Sequence, residues 1–169
     1  MNPTGEKVDN EFKIRLTVPS DANRLKEIID LSFSRFVRFF AVHSLEEEGQ
    51  VLVADTPGGV AVGFAKLVEF QIGADKFGCV LWIAVHPQFR RKRIGTALVE
   101  AALEQFKNDQ AKATFASVRR RNTASLEMFS TKGFRKIGFL ELRRLFDWQV
   151  FRLYREIWFA PGEIVLMHS

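Results

Sequence analysis

Cysteine is nearly absent from this chain: Cys79 stands alone among 169 residues, which excludes an internal disulfide framework and any all-cysteine metal site. Histidine is scarce as well. His43, His86 and His168 are scattered and show no ligand spacing, so no zinc site is expected. One tyrosine, Tyr154, accompanies 17 phenylalanines and three tryptophans, so the core is aromatic but poor in hydroxyls. No apolar run approaches the roughly 18 residues of a membrane span. Met1 to Asn10 is polar, unlike a signal peptide. A soluble, cytoplasmic protein is the expectation. Linkers, repeats and low-complexity tracts are lacking too. With 47% hydrophobic and 27% charged residues, the chain has the composition of one globular domain rather than of a disordered segment.

Charge is present but unevenly placed. Residues 1–85 carry 9 Lys/Arg against 12 Asp/Glu, whereas residues 86–169 carry 16 against 8. The excess gathers at Arg90 to Arg93, Arg119 to Arg121 and Arg143-Arg144. A polyanion is the natural partner of such a half, either nucleic acid or a phosphorylated cofactor. Composition does not choose between them.

Hydrophobic periodicity orders the elements. Residues 11–18 alternate, with Phe12, Ile14, Leu16 and Val18 on one face, and read as a strand. Pro19-Ser20-Asp21 opens a helix carrying Leu25, Ile28 and Ile29. A second helix spans about Ser34 to Glu48. Strands follow at Gln50–Asp55, Val60–Gln71 and Cys79–Val85, the last apolar enough for the sheet centre. Gly95 to Gln110 is an amphipathic helix, Ala113–Val118 a strand and Thr123–Lys132 a short helix stopped by Gly133. Phe134–Arg144 and Val150–Phe159 read as two more strands. The fold class is therefore α/β, with helices flanking a central mixed, mostly antiparallel sheet. Residues 1–10 are set apart as a flexible N-terminus, 11–160 as the domain and 161–169 as a C-terminal tail.

The segment from Val80 to Leu103 bears the chemistry. An apolar strand runs into four consecutive cations, and a helix opens at Gly95. The first N–H groups of a helix lack internal partners and its dipole is positive there. A glycine at that point allows close approach of a phosphate.

This segment resembles the acyl-CoA-binding motif of the GNAT superfamily of CoA-dependent N-acyltransferases, Gln/Arg-x-x-Gly-x-Gly/Ala after a central strand. Arg90 matches its first position and Gly95 its last. A second stretch, Asn122 to Phe129 followed by Lys132-Gly133-Phe134, is similar to the family's asparagine, short helix, aromatic and Gly-Phe signature. The element order also agrees, so the resemblance covers nearly the whole chain. It implies an acetyl-CoA-dependent N-acetyltransferase acting on a protein N-terminus, a lysine or a small amine, with no metal. Main-chain groups of Ile83, Ala84 and Val85 would pair with the pantetheine arm. The loop Arg90, Arg91, Lys92, Arg93, Ile94 and Gly95, with the Thr96 amide, would cradle the pyrophosphate. Asn122 would bond the arm, and Phe129 would lie near the sulfur. The amine would attack directly, with strand N–H groups polarising the thioester carbonyl.

Three positions depart from the family pattern. Arg93 replaces the first motif glycine, a costly exchange if the position needs positive φ. Phe129 stands where many members place a proton-donating tyrosine. Ser117 stands five residues before Asn122, where some members place a glutamate or histidine. The acid and the base are therefore unassigned. Ser117, as a hydrogen-bonding stop in an ordered-water path, and Glu69, on the strand before the central one, are the candidates. Glu46-Glu47-Glu48 borders the acceptor side and would attract a cation, whereas Cys79, His86 and Tyr154 read as structural. Two other readings stand beside the enzyme: a catalytically silent CoA-binding protein of the same fold, and a basic nucleic-acid-binding module. No nucleic-acid motif accompanies the charges, so nucleic acid is not the expected partner. A homodimer is left open.

Overall fold

The computed structural model describes residues 12–169; the N-terminal segment expected at 1–10 lies outside them. In chain order the elements are β1 (Lys13–Leu16), α1 (Ala22–Ser32), α2 (Arg35–Glu46), β2 (Gln50–Asp55), β3 (Ala61–Ile72), β4 (Asp75–Val85), α3 (Ile94–Asn108), β5 (Ala113–Arg119), α4 (Thr123–Thr131), β6 (Arg135–Lys136), α5 (Phe139–Phe146), α6 (Val150–Glu156) and β7 (Glu163–His168). The described strands form one sheet in the order β1-β2-β3-β4-β5-β7-β6. Only β4 and β5 are parallel; the other neighbours are antiparallel.

Helices cover both faces. On one, the buried stripe Leu98, Val99, Ala102 and Phe106 of α3 packs with Phe129 of α4 and Phe134 against Val80, Ala116 and Leu166. Gly78 lets α3 come this close, since a Cβ there would meet the Phe106 ring at 2.5 Å. On the other face, Leu25, Ile28 and Ile29 of α1 sit over Val51, Val53 and Phe64. Beside them, Leu142, Val150, Leu153 and Ile157 sit over Cys79, Phe115 and Val165.

The C-terminal third departs from expectation. The stretches 134–144 and 150–159 hold the two-residue β6 and then the helices α5 and α6 instead of two long strands. Leu142 and Phe146, then Val150, Leu153 and Ile157, recur at three- and four-residue spacing, so one helical stripe faces the sheet. Phe139 and Phe151, within the stretches expected to be strands, are exposed on the helices. Residues 163–168, expected in a tail, form β7, which lies between β5 and β6. Its apolar run Ile164 to Met167 suits a strand covered on both faces. At the other end, Leu16 and Val18 are exposed while Phe12 and Ile14 pack on the core. Among the described residues no helix is long and apolar enough to cross a membrane.

Candidate active site

The sheet opens at its centre. β4 and β5 pair from Phe77↔Ala113 to Val80↔Ala116 and then part. The cause lies on the other edge of β4. There Leu67 pairs with Val80 and Lys66 with Trp82, so Leu81 is an extra residue against β3. Such a bulge bends its strand and strengthens the local twist. It also inverts the alternation: Cys79 and Leu81 pack on the α6 side, whereas Trp82 and Ala84 join the α1–α2 cluster. Among the described residues, the β5-facing edge of Leu81–Val85, including Ile83 and Ala84, is left without a strand beside it. A cavity of about 510 Å³ fills the gap. Asn122, Ser125 and Phe129 line it from the α4 face, and Phe33, Phe36, Val37 and Phe40 with Trp158 from the opposite face. The cavity therefore passes through the sheet.

Because β4 and β5 run parallel, the cations after each strand collect at one end of this gap. Arg91 and Arg93 both have positive φ, 63° and 60°, which turns the loop into a concave run of main-chain N–H groups. The first α3 hydrogen bond runs from Ala97 N–H to the Arg93 carbonyl, so the amides of Ile94, Gly95 and Thr96 precede it and no side chain of Arg93 caps them. Arg91, Lys92 and Arg93 are exposed around these amides. This donor set suits a phosphate anion. Arg90 is drawn back, donating to the Val85 carbonyl at 3.1 Å and the Ser32 hydroxyl at 3.3 Å, which fastens the loop to β4 and α1. The Ile94 side chain is core. The Gly95 Cα faces α4: a Cβ there would meet the Met128 sulfur at 2.8 Å. Glycine at 95 thus serves the α3–α4 approach that carries Asn122 and Phe129 to the gap.

Asn122 caps α4, its Oδ1 accepting from the Ser125 N–H at 3.1 Å, and its amide nitrogen is left to donate. Phe129 is 1% exposed and meets Phe134 edge-on at 4.9 Å. Ser117 lies in the cavity wall, and its hydroxyl donates to Glu163 of β7, 2.5 Å away. Glu163 lies in the segment expected to be a tail, so it is not among the expected site residues. Trp82 and Trp158 also line the cavity, and the Trp82 indole N–H is buried without a partner among the described residues. Only its position one residue past the strand bulge marks Trp82 out, which composition does not show.

Glu69 is not brought together with Ser117. It opens onto a second cavity of about 740 Å³, with Glu46, Glu47, Glu48 and Glu156. Burial and the neighbouring Asp109 push its carboxyl up, opposed by Lys76 at 3.5 Å. Lys66, fully buried, donates to the Glu47 carbonyl at 2.8 Å and holds this acidic turn; burial lowers its pKa. Trp158 walls both cavities. Cys79 is buried and its thiol is pushed up by that burial, which fits an inert core residue. His86 accepts from the Gln88 N–H as a turn residue, and Tyr154 stacks on Phe159 outside the cavity. Among the described residues no group of three or more His, Cys, Asp or Glu is placed to hold a metal.

Residues 20–134 match the Acetyltransferase (GNAT) family. The chain belongs to that family. As a GNAT protein it is an acetyl-CoA-dependent acetyltransferase. It is 29% identical over 145 residues to an N-alpha-acetyltransferase of Sulfurisphaera tokodaii, covering 79% of this chain and 86% of that one. Two solved structures share the fold. The PaiA N-acetyltransferase of Thermoplasma acidophilum, in complex with coenzyme A, has a TM-score of 0.68 at 14% identity, over 94% of this chain and 98% of that one. The NatC complex bound to Gag peptide and CoA has a TM-score of 0.64 at 16% identity, over 93% of this chain and 97% of that one.

Proposed function

We propose that this GNAT enzyme acetylates the α-amino group of a protein or peptide N-terminus. The observation that carries the reading is the through-sheet cavity, which offers acetyl-CoA and a chain end separate entrances. On the α4 side, the open β4 edge at Ile83 to Val85 would pair with the pantetheine arm as an added strand does. The Asn122 amide would bond the arm, and Phe129 would pack near the sulfur. The amides of Ile94 to Thr96 would take the pyrophosphate, with Arg91, Lys92 and Arg93 around it.

On the acceptor side, Phe33, Phe40, Trp82 and Trp158 form an aromatic wall. The unpartnered Trp82 N–H asks for an acceptor atom. A peptide carbonyl supplies one. The N-alpha-acetyltransferase relative supports the same class of amine. A second reading, acetylation of a small polyamine, is favoured by the acidic cavity beyond Trp158. A protonated polyamine has no acceptor for Trp82, so the peptide reading is preferred.

Free-thiol release from acetyl-CoA tests this against peptides with free N-termini, Nα-blocked lysine peptides and spermidine. Turnover with the free N-termini and none with the blocked peptides is expected. Turnover confined to spermidine or to lysine side chains would overturn it.

A further inference from the structure

Acetyl transfer from a thioester must remove a proton from the attacking amine, yet β5 lines the cavity with Ser117, Val118 and Arg119, of which only the Ser117 hydroxyl can take a proton and pass one on. The neighbouring strand supplies what β5 lacks. The register pairs Ser117 with Val165 and Arg119 with Glu163, so Glu163 shares a face with Ser117 two pairs along the ladder. Its Oε2 accepts from the Ser117 hydroxyl, and also from the Ala160 N–H at 3.0 Å. That second bond fixes the carboxylate in place. Among the described residues that line the cavity, Glu163 is the one carboxylate, and no histidine, lysine or tyrosine joins it.

We propose that Glu163 is the proton acceptor of the transfer, working through the Ser117 hydroxyl; this rests on the acetyltransferase reading above. The neutral amine attacks the thioester carbon, forming the C–N bond and moving the carbonyl electron pair onto oxygen. The N–H proton passes to Ser117 Oγ while the Ser117 proton passes to Glu163. The carbonyl then re-forms, the C–S bond breaks, and its electron pair leaves on sulfur. The CoA thiolate takes a proton from water, and Glu163 returns its proton to water. One amine hydrogen stays on the amide and the other ends on the CoA thiol.

The test uses the full chain and thiol release with one acetylatable peptide across about pH 6–9. Glu163→Gln keeps the size of the side chain and an acceptor for Ala160. It is expected to lower kcat about 10²-fold, with KM for acetyl-CoA within about three-fold, the usual effect of losing a positioned base. Its kcat should rise steadily with pH where the wild type is level, because hydroxide then takes the proton. Ser117→Ala leaves the Ala160–Glu163 turn untouched and should lose about ten-fold or more. The double variant should be no slower than Glu163→Gln alone, since the two act as one unit. Wild-type turnover in the same assay carries the acetyltransferase reading, and the variant ratios carry the proposal. A Glu163→Gln enzyme within about three-fold of wild type with an unchanged pH profile would overturn it. So would unaltered Ser117→Ala turnover, or losses that simply multiply in the double variant.

Discussion

The indole of Trp82 meets that of Trp158 edge-on, with ring centroids 6.3 Å apart and planes at 89°. Trp82 comes from the bulged centre of β4 and Trp158 from the link between α6 and β7, where its φ is +52°. A tryptophan holds that backbone conformation only when its surroundings over-determine it, and Phe40 also meets it at a right angle, with ring centroids 6.5 Å apart. The relationship gives Trp82 an orientation but no hydrogen-bond partner. Trp82→Phe should therefore raise KM for a peptide acceptor about ten-fold, the worth of one hydrogen bond in a desolvated site, with kcat and KM for acetyl-CoA little changed. Steady-state kinetics with the acceptor varied checks this; an unchanged peptide KM would remove the indole N–H from recognition.

Arg93 sits at the start of α3 with φ near +60°, a region that costs a side chain about 1–2 kcal/mol. Arg93→Gly should relieve this and raise stability by up to about 1 kcal/mol, after the extra freedom that glycine gives the unfolded chain. It should also weaken acetyl-CoA binding at low salt more than at high salt, because a cation would be lost from the proposed pyrophosphate cradle. Thermal melts and calorimetric titration at two ionic strengths measure both. A lower Tm would show that the Arg93 side chain stabilises the loop.

Phe129 is packed away from solvent against Phe134, which makes it a packing residue with no proton to give. Phe129→Ala should destabilise by about 3–5 kcal/mol. Phe129→Tyr should leave kcat within a few-fold, since the CoA thiolate leaves without help. A gain of roughly 10²-fold in kcat would instead show that a missing acid limits this enzyme.

Acid stability rests partly on Asp21 at the start of α1. Arg15 donates to it at 2.7 Å and to Asp55 at 2.6 Å. The hydrogen bond from Arg15 and the Val18 N–H hold the Asp21 carboxyl down at about 2, against about 3.9 in an unfolded chain. A depressed carboxylate stabilises above the unfolded value and loses that contribution as pH falls through the folded one. The wild type should lose up to about 2 kcal/mol from this group between about pH 4 and pH 2. Asp21→Asn should be less stable at pH 7 and less sensitive across that window. Chemical denaturation at pH 7, 4 and 2.5 tests it, and parallel curves for the two proteins would contradict it.

The strand–cation–helix run from Val80 to Leu103 was legible in the sequence because an apolar strand, four cations and a 3.6-residue stripe are all local patterns. Gly133 was legible for the same reason, as the stop of one short helix, and it has φ +83°; Asn122 entered through the family signature, and its capping of α4 is a finding of the structure. The segment 134–159 misled because Phe, Ile, Val, Tyr and Trp favour strands, while the buried positions Val150, Leu153 and Ile157 follow a helix. Tertiary packing against the sheet settled that conflict. The partnership of Ser117 with Glu163 joins positions 46 residues apart. It exists only because β7 inserts beside β5, which no local pattern announces. The same holds for the Leu81 bulge, whose cause is the register against β3.

Acetyl placement on a product peptide tests the central claim most directly. Acetyl-CoA and the purified chain are incubated with a peptide that carries both a free α-amine and an internal lysine, and the product is fragmented by tandem mass spectrometry. The acetyl mass is expected on the N-terminal residue, with the lysine unmodified. Acetyl on the lysine side chain, or no acetylated peptide above the enzyme-free control, would contradict the account.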